Sequence, residues 1–300
     1  MHFERRALLA LVLLSLIWGY SWIVLKIALL DAGPFAFAAL RVLLGAACLF
    51  AVLGAAGRPW KPERLGELFV LGLVQTSAYV GLSMWALVEG GPGRTAVLVF
   101  TMPFWTLLLA WPALGEKVRG GQWLAILLAG FGLIAILQPW QQAGSIGSKL
   151  LAVTAGFIWA VSAIILKRFQ ARGRMDLLRL TAWQMLLGSL PLLVVAAWVD
   201  EQPVIWSARF IAALAFNSAI TTAAGWWLWI YVLNHLPAGS AGMSMLAIPV
   251  IAILASWLQL GERPPAPELA GMLMIGAALL LVALRAWRLH RDLTPPAAPE

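Results

Sequence analysis

The 300-residue chain holds one cysteine, Cys48, inside an apolar run. A disulfide within the chain is therefore excluded, and no CxxC or Cys/His spacing is available for a metal. Charge is scarce as well. Asp, Glu, Lys and Arg make up 11% of the residues and 62% are hydrophobic, whereas soluble domains average roughly 25% charged. A water-soluble fold of this length cannot hide that much apolar surface, so a polytopic membrane protein is predicted. Acidic groups are missing from the apolar runs: Asp31, Glu63, Glu67, Glu89, Asp200, Glu201 and Glu268 lie in or beside loops, and His2, His235 and His290 are peripheral. The buried carboxylate or histidine relay of proton-coupled carriers is thus absent. So are the paired acids, His/Asp pair or Ser/Lys pair that an intramembrane enzyme needs. No GxxxxGK[ST] loop exists to hydrolyse ATP. No cofactor and no metal is expected. The formal charge of +8 does not predict nucleic-acid binding, because the basic residues sit in short connections at the ends of the apolar runs.

What the chain does have is a second copy of itself. Ile17-Trp18-Gly19-Tyr20-Ser21-Trp22-Ile23-Val24-Leu25-Lys26 returns 141 residues later as Ile158-Trp159-Ala160-Val161-Ser162-Ala163-Ile164-Ile165-Leu166-Lys167. Leu114-Gly115-Glu116-Lys117 returns 146 residues later as Leu260-Gly261-Glu262-Arg263, and Pro103 falls on Pro249 at the same offset. A hydrocarbon core of about 30 Å needs roughly 20 apolar residues per helix. Apolar runs of that size number ten: 7–30, 34–53, 65–88, 95–114, 122–138, 150–167, 177–199, 210–233, 239–260 and 269–287. Arg5-Arg6 before the first run resembles a signal peptide, but the run is of spanning length and belongs to the repeat. Five spans per copy force the second copy to lie inverted in the membrane. The predicted fold is an all-α membrane protein of two inverted five-helix repeats, one bundle around a central cavity: 1–140, an external linker 141–147, 148–288, and a disordered cytoplasmic tail 289–300. Fifteen Lys and Arg residues fall on one side and four (Arg94, Lys149, Arg209, Arg263) on the other, which places both termini in the cytoplasm.

Polar residues inside spans carry most of the functional signal. Gln75, Tyr79 and Ser83 are spaced i, i+4, i+8 and share one face of span three. Asn217 and Thr221 lie one turn apart in span eight. Both stripes read either as cavity lining or as hydrogen bonds between helices. Trp18 and Trp159 sit at equivalent midpoints, where an indole N–H finds no partner in lipid, so they are expected to face inward. Pro103 and Pro249 are expected to kink spans four and nine, as hinges or as structural bends. Lys26, Arg41 and Glu262 lie toward the outer ends of their spans, with Lys167 and Glu116 at the inner face. They read as gating ion pairs, or as snorkelling lysines and helix-capping glutamates. Trp60, Trp140, Trp206 and Trp287 lie near span ends, as an interfacial belt.

The duplicated Trp-x-x-Ser-x-x-x-Leu-Lys stretches, Ala39-Leu40-Arg41, the two prolines, the Leu-Gly-Glu turns and Tyr231-to-Gly242 together resemble the drug/metabolite transporter superfamily. The match is to its EamA-type ten-helix members, over about residues 7–287. Within that group the chain's overall look resembles the YddG-type aromatic amino-acid exporters, a likeness that rests on no single motif. The resemblance implies a basket-like bundle with its cavity lined by spans one, three, four, six, eight and nine. It also implies secondary transport of small metabolites. Gln184 stands where the second copy should repeat Arg41, which argues against a symmetric role for that arginine. The expected function is an inner-membrane exporter of neutral or aromatic amino acids by alternating access, working as a monomer in the bilayer on a small-molecule substrate. Amphiphilic drugs and other metabolites are the alternative substrates, and a facilitative channel is the alternative class. The expected substrate site is Trp18, Gln75, Tyr79, Ser83, Trp159, Asn217 and Thr221, a lining without fixed charge. Hinge and gate roles are expected for Pro103, Pro249, Lys26, Arg41 and Glu262.

Overall fold

A computed structural model of the chain describes residues 2–118, 120–138, 146–173, 175–235 and 246–293. Apolar runs become helices because lipid offers no partner to an amide, so each must bond within its own segment. Described in chain order, the helices are α1 His2–Ala28, α2 Pro34–Ala55, α3 Leu65–Glu89, α4 Pro92–Leu114, α5 Gly121–Leu137, α6 Ile146–Ala171 and α7 Leu177–Trp198. They continue with α8, built from Ala208–Ala215, Phe216–Ala224 and Gly225–His235 in series, then α9 Ala247–Leu260 and α10 Ala266–Leu293. Eight of these helices contain a stretch long and apolar enough to cross a membrane; α5 and α9 are the shorter apolar helices. Arg119, Arg174, Trp140, linker residues 141–145 and most of the crossing from span eight to nine lie outside the described residues. The last helix runs to Leu293, past residue 289, so the expected disordered tail begins as continued helix.

The packing follows the repeat. Helix α1 lies against α8 and α9, and its counterpart α6 lies against α3 and α4. Helix α2 pairs with its own counterpart α7, and α5 with α10. Each half therefore inserts its first helix between the third and fourth of the other, and neither half has a complete interior alone. Small residues allow the closest approaches, as expected where van der Waals packing holds helices together. A Cβ on Gly132 of α5 would lie 2.7 Å from the Gly271 carbonyl oxygen of α10, and one on Gly271 would lie 2.5 Å from that of Gly132. The side chains turned outward include Leu9, Leu13, Leu127, Phe131, Leu258 and Leu273, all exposed. An apolar outer surface is what a bilayer requires. Trp60 and Trp206, near helix ends, are also exposed.

The Leu-Gly-Glu repeat acquires a local explanation. Gly115 and Gly261 adopt φ +73° and +65° and end α4 and α9 in the left-handed conformation. A residue with a Cβ pays for that region, and glycine does not.

Candidate functional site

Two features of the helices shape the centre of the bundle. Helix α3 is wound as a π-helix over Gly72–Ala78, and α8 over Phe216–Ala224. These are equivalent parts of the two repeats. In each, a hydroxyl bonds the carbonyl five residues back: Ser77 Oγ donates to Gly72 O at 3.2 Å, and Thr222 Oγ1 to Asn217 O at 2.9 Å. Ser77 also donates to Gly188 O on α7 at 2.7 Å. Successive side chains of an α-helix point about 100° apart. The wider π turns instead let neighbours Gln75 and Thr76, and again Thr221 and Thr222, face one space. Such segments recur at functional sites.

That space is a cavity of about 150 Å³ between the halves. On a scale where one water occupies about 10–15 Å³, it holds roughly ten waters, enough room for a small metabolite. Trp18, Gln75, Tyr79, Ser83, Trp159 and Thr221 line it, as expected from the sequence. Tyr79 of the first half and Trp159 of the second meet edge to face, with ring centroids 4.7 Å apart. The Trp18 indole donates to Thr221 O at 3.0 Å, where the π segment leaves a carbonyl within reach. Thr221 Oγ1 is buried without a hydrogen-bond partner, and Ser83 Oγ lies beside the Tyr79 hydroxyl.

Three expectations need correction. Asn217 is fully buried but does not line the cavity: its Nδ2 donates to Ala213 O at 2.9 Å, one turn back in its own helix, and its Oδ1 has no partner. The π turn breaks the one-turn register with Thr221 that the sequence suggested. Arg41, read from the sequence as lying toward a span end, lines the cavity, so the lining carries a fixed charge. It lies three residues after Ala38 and four before Gly45, both buried, on the inward face of α2. That spacing was visible in the sequence. The prolines do not kink continuous helices. Helix α4 is interrupted at Phe100–Thr101 and restarts at Met102, which puts Pro103 in a first turn, where its missing N–H costs nothing. Pro249 likewise lies in the first turn of its helix, the third residue of α9 after Leu246. Phe100, Met102 and Ile248 at these starts line the cavity.

Sequence reasoning missed other lining residues, among them Trp22, Met84, Gln184, Met185 and Trp226. Gln184 was the one with a signal, as the counterpart of Arg41; it donates to Thr76 Oγ1 at 3.4 Å. Within the Trp226–Trp229 cluster, Trp226 lines the cavity, Trp227 is exposed, and Trp229 packs on Trp18.

The charged residues of the rims tie the halves together. At the amino-terminal face Lys167 pairs with Glu116, both half exposed, and Arg58 with Asp176 at 2.8 Å. At the opposite face Lys26 and Glu262 do not pair with each other. Lys26 Nζ donates to Leu87 O and Val88 O, at 2.8 and 2.7 Å, near the end of α3. Glu262 accepts from the Gly93 amide at 3.1 Å and from the Ser256 hydroxyl, which seats its carboxylate on the start of α4. Two loops there exchange carboxylates. Glu201 accepts from the amides of Phe35 and Ala36 at the start of α2, and Asp31 takes Arg209 and Ser207 at the start of α8. The Arg209 guanidinium, aided by the Ser207 hydroxyl, holds the Asp31 carboxyl below the usual carboxylate range. Among the described residues no group of three His, Cys, Asp or Glu is placed to hold a metal.

Residues 5–138 and 147–284 each match the EamA-like transporter family. The chain belongs to that family. A Pseudomonas aeruginosa protein, PA1977, is 32% identical over 295 residues, covering 96% of this chain and 99% of that one. The transporter YoaV of Bacillus subtilis is 26% identical, covering 92% and 96%. An Escherichia coli protein named a probable amino-acid metabolite efflux pump is 27% identical, covering 91% of each chain. A solved crystal structure shares the fold with a TM-score of 0.64 at 19% identity, covering 95% of this chain and 99% of that one. The protein is a multi-pass membrane transporter of small molecules, not an enzyme.

Proposed function

We propose that the protein exports apolar and aromatic amino acids or closely related metabolites across the cell's inner membrane by alternating access, with the central cavity as its binding site. The observation that carries this reading is the cavity itself. It lies between two inverted repeats, is walled by indole rings from both and a phenol from the first, and leaves the Thr221 hydroxyl without a partner. Binding between inverted repeats is the arrangement through which such carriers expose one site to each side in turn. The efflux pump named in Escherichia coli supports export and the amino-acid class. Among the described residues no carboxylate lines the cavity, which supports flux down the substrate gradient over a carboxylate-borne proton relay. The excess of Lys and Arg on the amino-terminal face supports cytoplasmic termini.

Counterflow in proteoliposomes, with a panel of amino acids and amphiphilic drugs, tests the proposal. Aromatic or branched amino acids inside the vesicles should accelerate uptake of the labelled substrate. Flux without such acceleration identifies a channel, and acceleration only by drugs replaces the substrate class. Reporter fusions after Gln142 and after Gly173 should read opposite sides of the membrane.

A further inference from the structure

We propose that Arg41 makes the cavity a carboxylate site, so that the transporter accepts apolar and aromatic acids with or without an amino group and rejects the corresponding amines. The inference rests on the cavity being the transport site.

Among the described residues Arg41 is the one ionised side chain in the lining; no Asp, Glu, His or Lys accompanies it. Seven other arginines, at 58, 64, 94, 168, 172, 179 and 209, each hold a carboxylate or a backbone carbonyl. Arg41 holds neither within the described residues, and its Nε is buried without an acceptor. A guanidinium withdrawn from bulk water is costly unless an anion or ordered water answers it. Its planar fork matches a carboxylate through two parallel hydrogen bonds. A bound acid supplies what the free protein lacks.

The repeat gives this charge a direction. Gln184, the counterpart of Arg41, lines the same cavity, so one pole of a two-fold scaffold carries a cation and its mate an amide. An acid therefore binds one way round, with its head at Arg41 and its apolar body among Trp18, Trp159 and Trp226. The ammonium of an amino acid finds only neutral acceptors, such as the hydroxyls of Ser83 and Thr221. An amine without a carboxylate brings a second cation beside Arg41 and nothing to balance it. Rejection follows from that repulsion.

Three ligands with one ring and different heads test the idea: phenylalanine, phenylpyruvate and phenethylamine, titrated calorimetrically into the full-length protein in detergent. Wild type should bind the two acids with affinities within a few-fold of each other, and the amine at least tenfold more weakly. Arg41→Gln should weaken both acids about ten- to hundredfold, as loss of a charged hydrogen-bonding partner does, and should narrow their advantage over the amine. Arg41→Lys should recover part of the loss. Wild type that binds amine and acids equally overturns the proposal without any variant, as does a folded Arg41→Gln protein with wild-type acid affinity. The same proteins in counterflow separate the two readings. Transport of some other solute, unaffected by Arg41→Gln, removes Arg41 from recognition and leaves the transporter standing. An absence of counterflow with every solute removes the cavity as a transport site.

Discussion

Replacing Gly91 with alanine puts a methyl carbon where the Glu262 carboxylate sits. The new Cβ would overlap Oε1 and Cδ and lie 2.9 Å from Oε2. Gly91 has φ −71° and ψ 142°, which any residue adopts, so the backbone itself accepts the substitution. The glutamate must leave. With it goes the bond from the Gly93 amide, which joins the start of α4 to the end of α9; the Ser256 bond, lost too, lies within α9 and the turn that follows it. A hydrogen bond to a charged group contributes about 1.5–3 kcal/mol where it stays dry. Water at the rim repays part of the one bond across the seam, leaving about 1 kcal/mol lost. At about 1.4 kcal/mol per factor of ten, the population open at that face rises roughly fivefold. The assay uses a Cys48→Ala, Ser83→Cys background, with the introduced thiol in the cavity, and a membrane-impermeant thiol reagent added at the face opposite the termini. Labelling should quicken by about that factor in Gly91→Ala, and by a similar factor in Glu262→Gln. A folded Gly91→Ala protein labelled at the background rate refutes the reasoning.

Other expectations follow from the same geometry. Thr221→Val removes a buried cavity hydroxyl and should lower counterflow severalfold. Asn217→Ala, outside the cavity, and Trp60→Ala, at an exposed end, should leave it near wild type. Gly72→Ala sets a Cβ 2.8 Å from Gln184 O and 2.9 Å from Gly188 N, backbone atoms that no rotamer change can move. It should cost about 1–3 kcal/mol in denaturation measurements, while Gly66→Ala in the same helix, with open space around it, costs little. The Asp31 carboxyl titrates below its usual range because of Arg209. Its stabilisation is therefore fully present above the ordinary carboxylate pKa of about 4 and is lost as pH falls through the lower folded value. Melting temperature in detergent should fall at those acid pH values in wild type, and Asp31→Asn should flatten that part of the profile.

The sequence by itself determined the membrane class, the ten spans and the duplication. Each of these depends on composition and period along the chain, and lipid permits few folds for such runs. It also identified part of the cavity wall, six of its lining residues, because a buried indole or amide in the middle of a span must face protein. Trp18 and Trp159 were legible from the repeat, and Gln75, Tyr79 and Ser83 from their common helical face. Arg41 was legible in principle, from its spacing to Ala38 and Gly45, but its position near a span end made the rim the simpler reading. What only the tertiary structure decided was helix phase and partner choice. The π segments in α3 and α8 turn Thr76 and Thr222 inward and leave Asn217 bonded to its own helix, and no residue pattern announces such a winding. The break at Phe100–Thr101 makes Pro103 the start of a helix instead of its bend. Glu262 seats on α4 instead of pairing with Lys26 because the halves interlock, bringing the start of α4 to the end of α9. Local spacing sets which face a residue occupies; only the packed bundle sets what lies across from it.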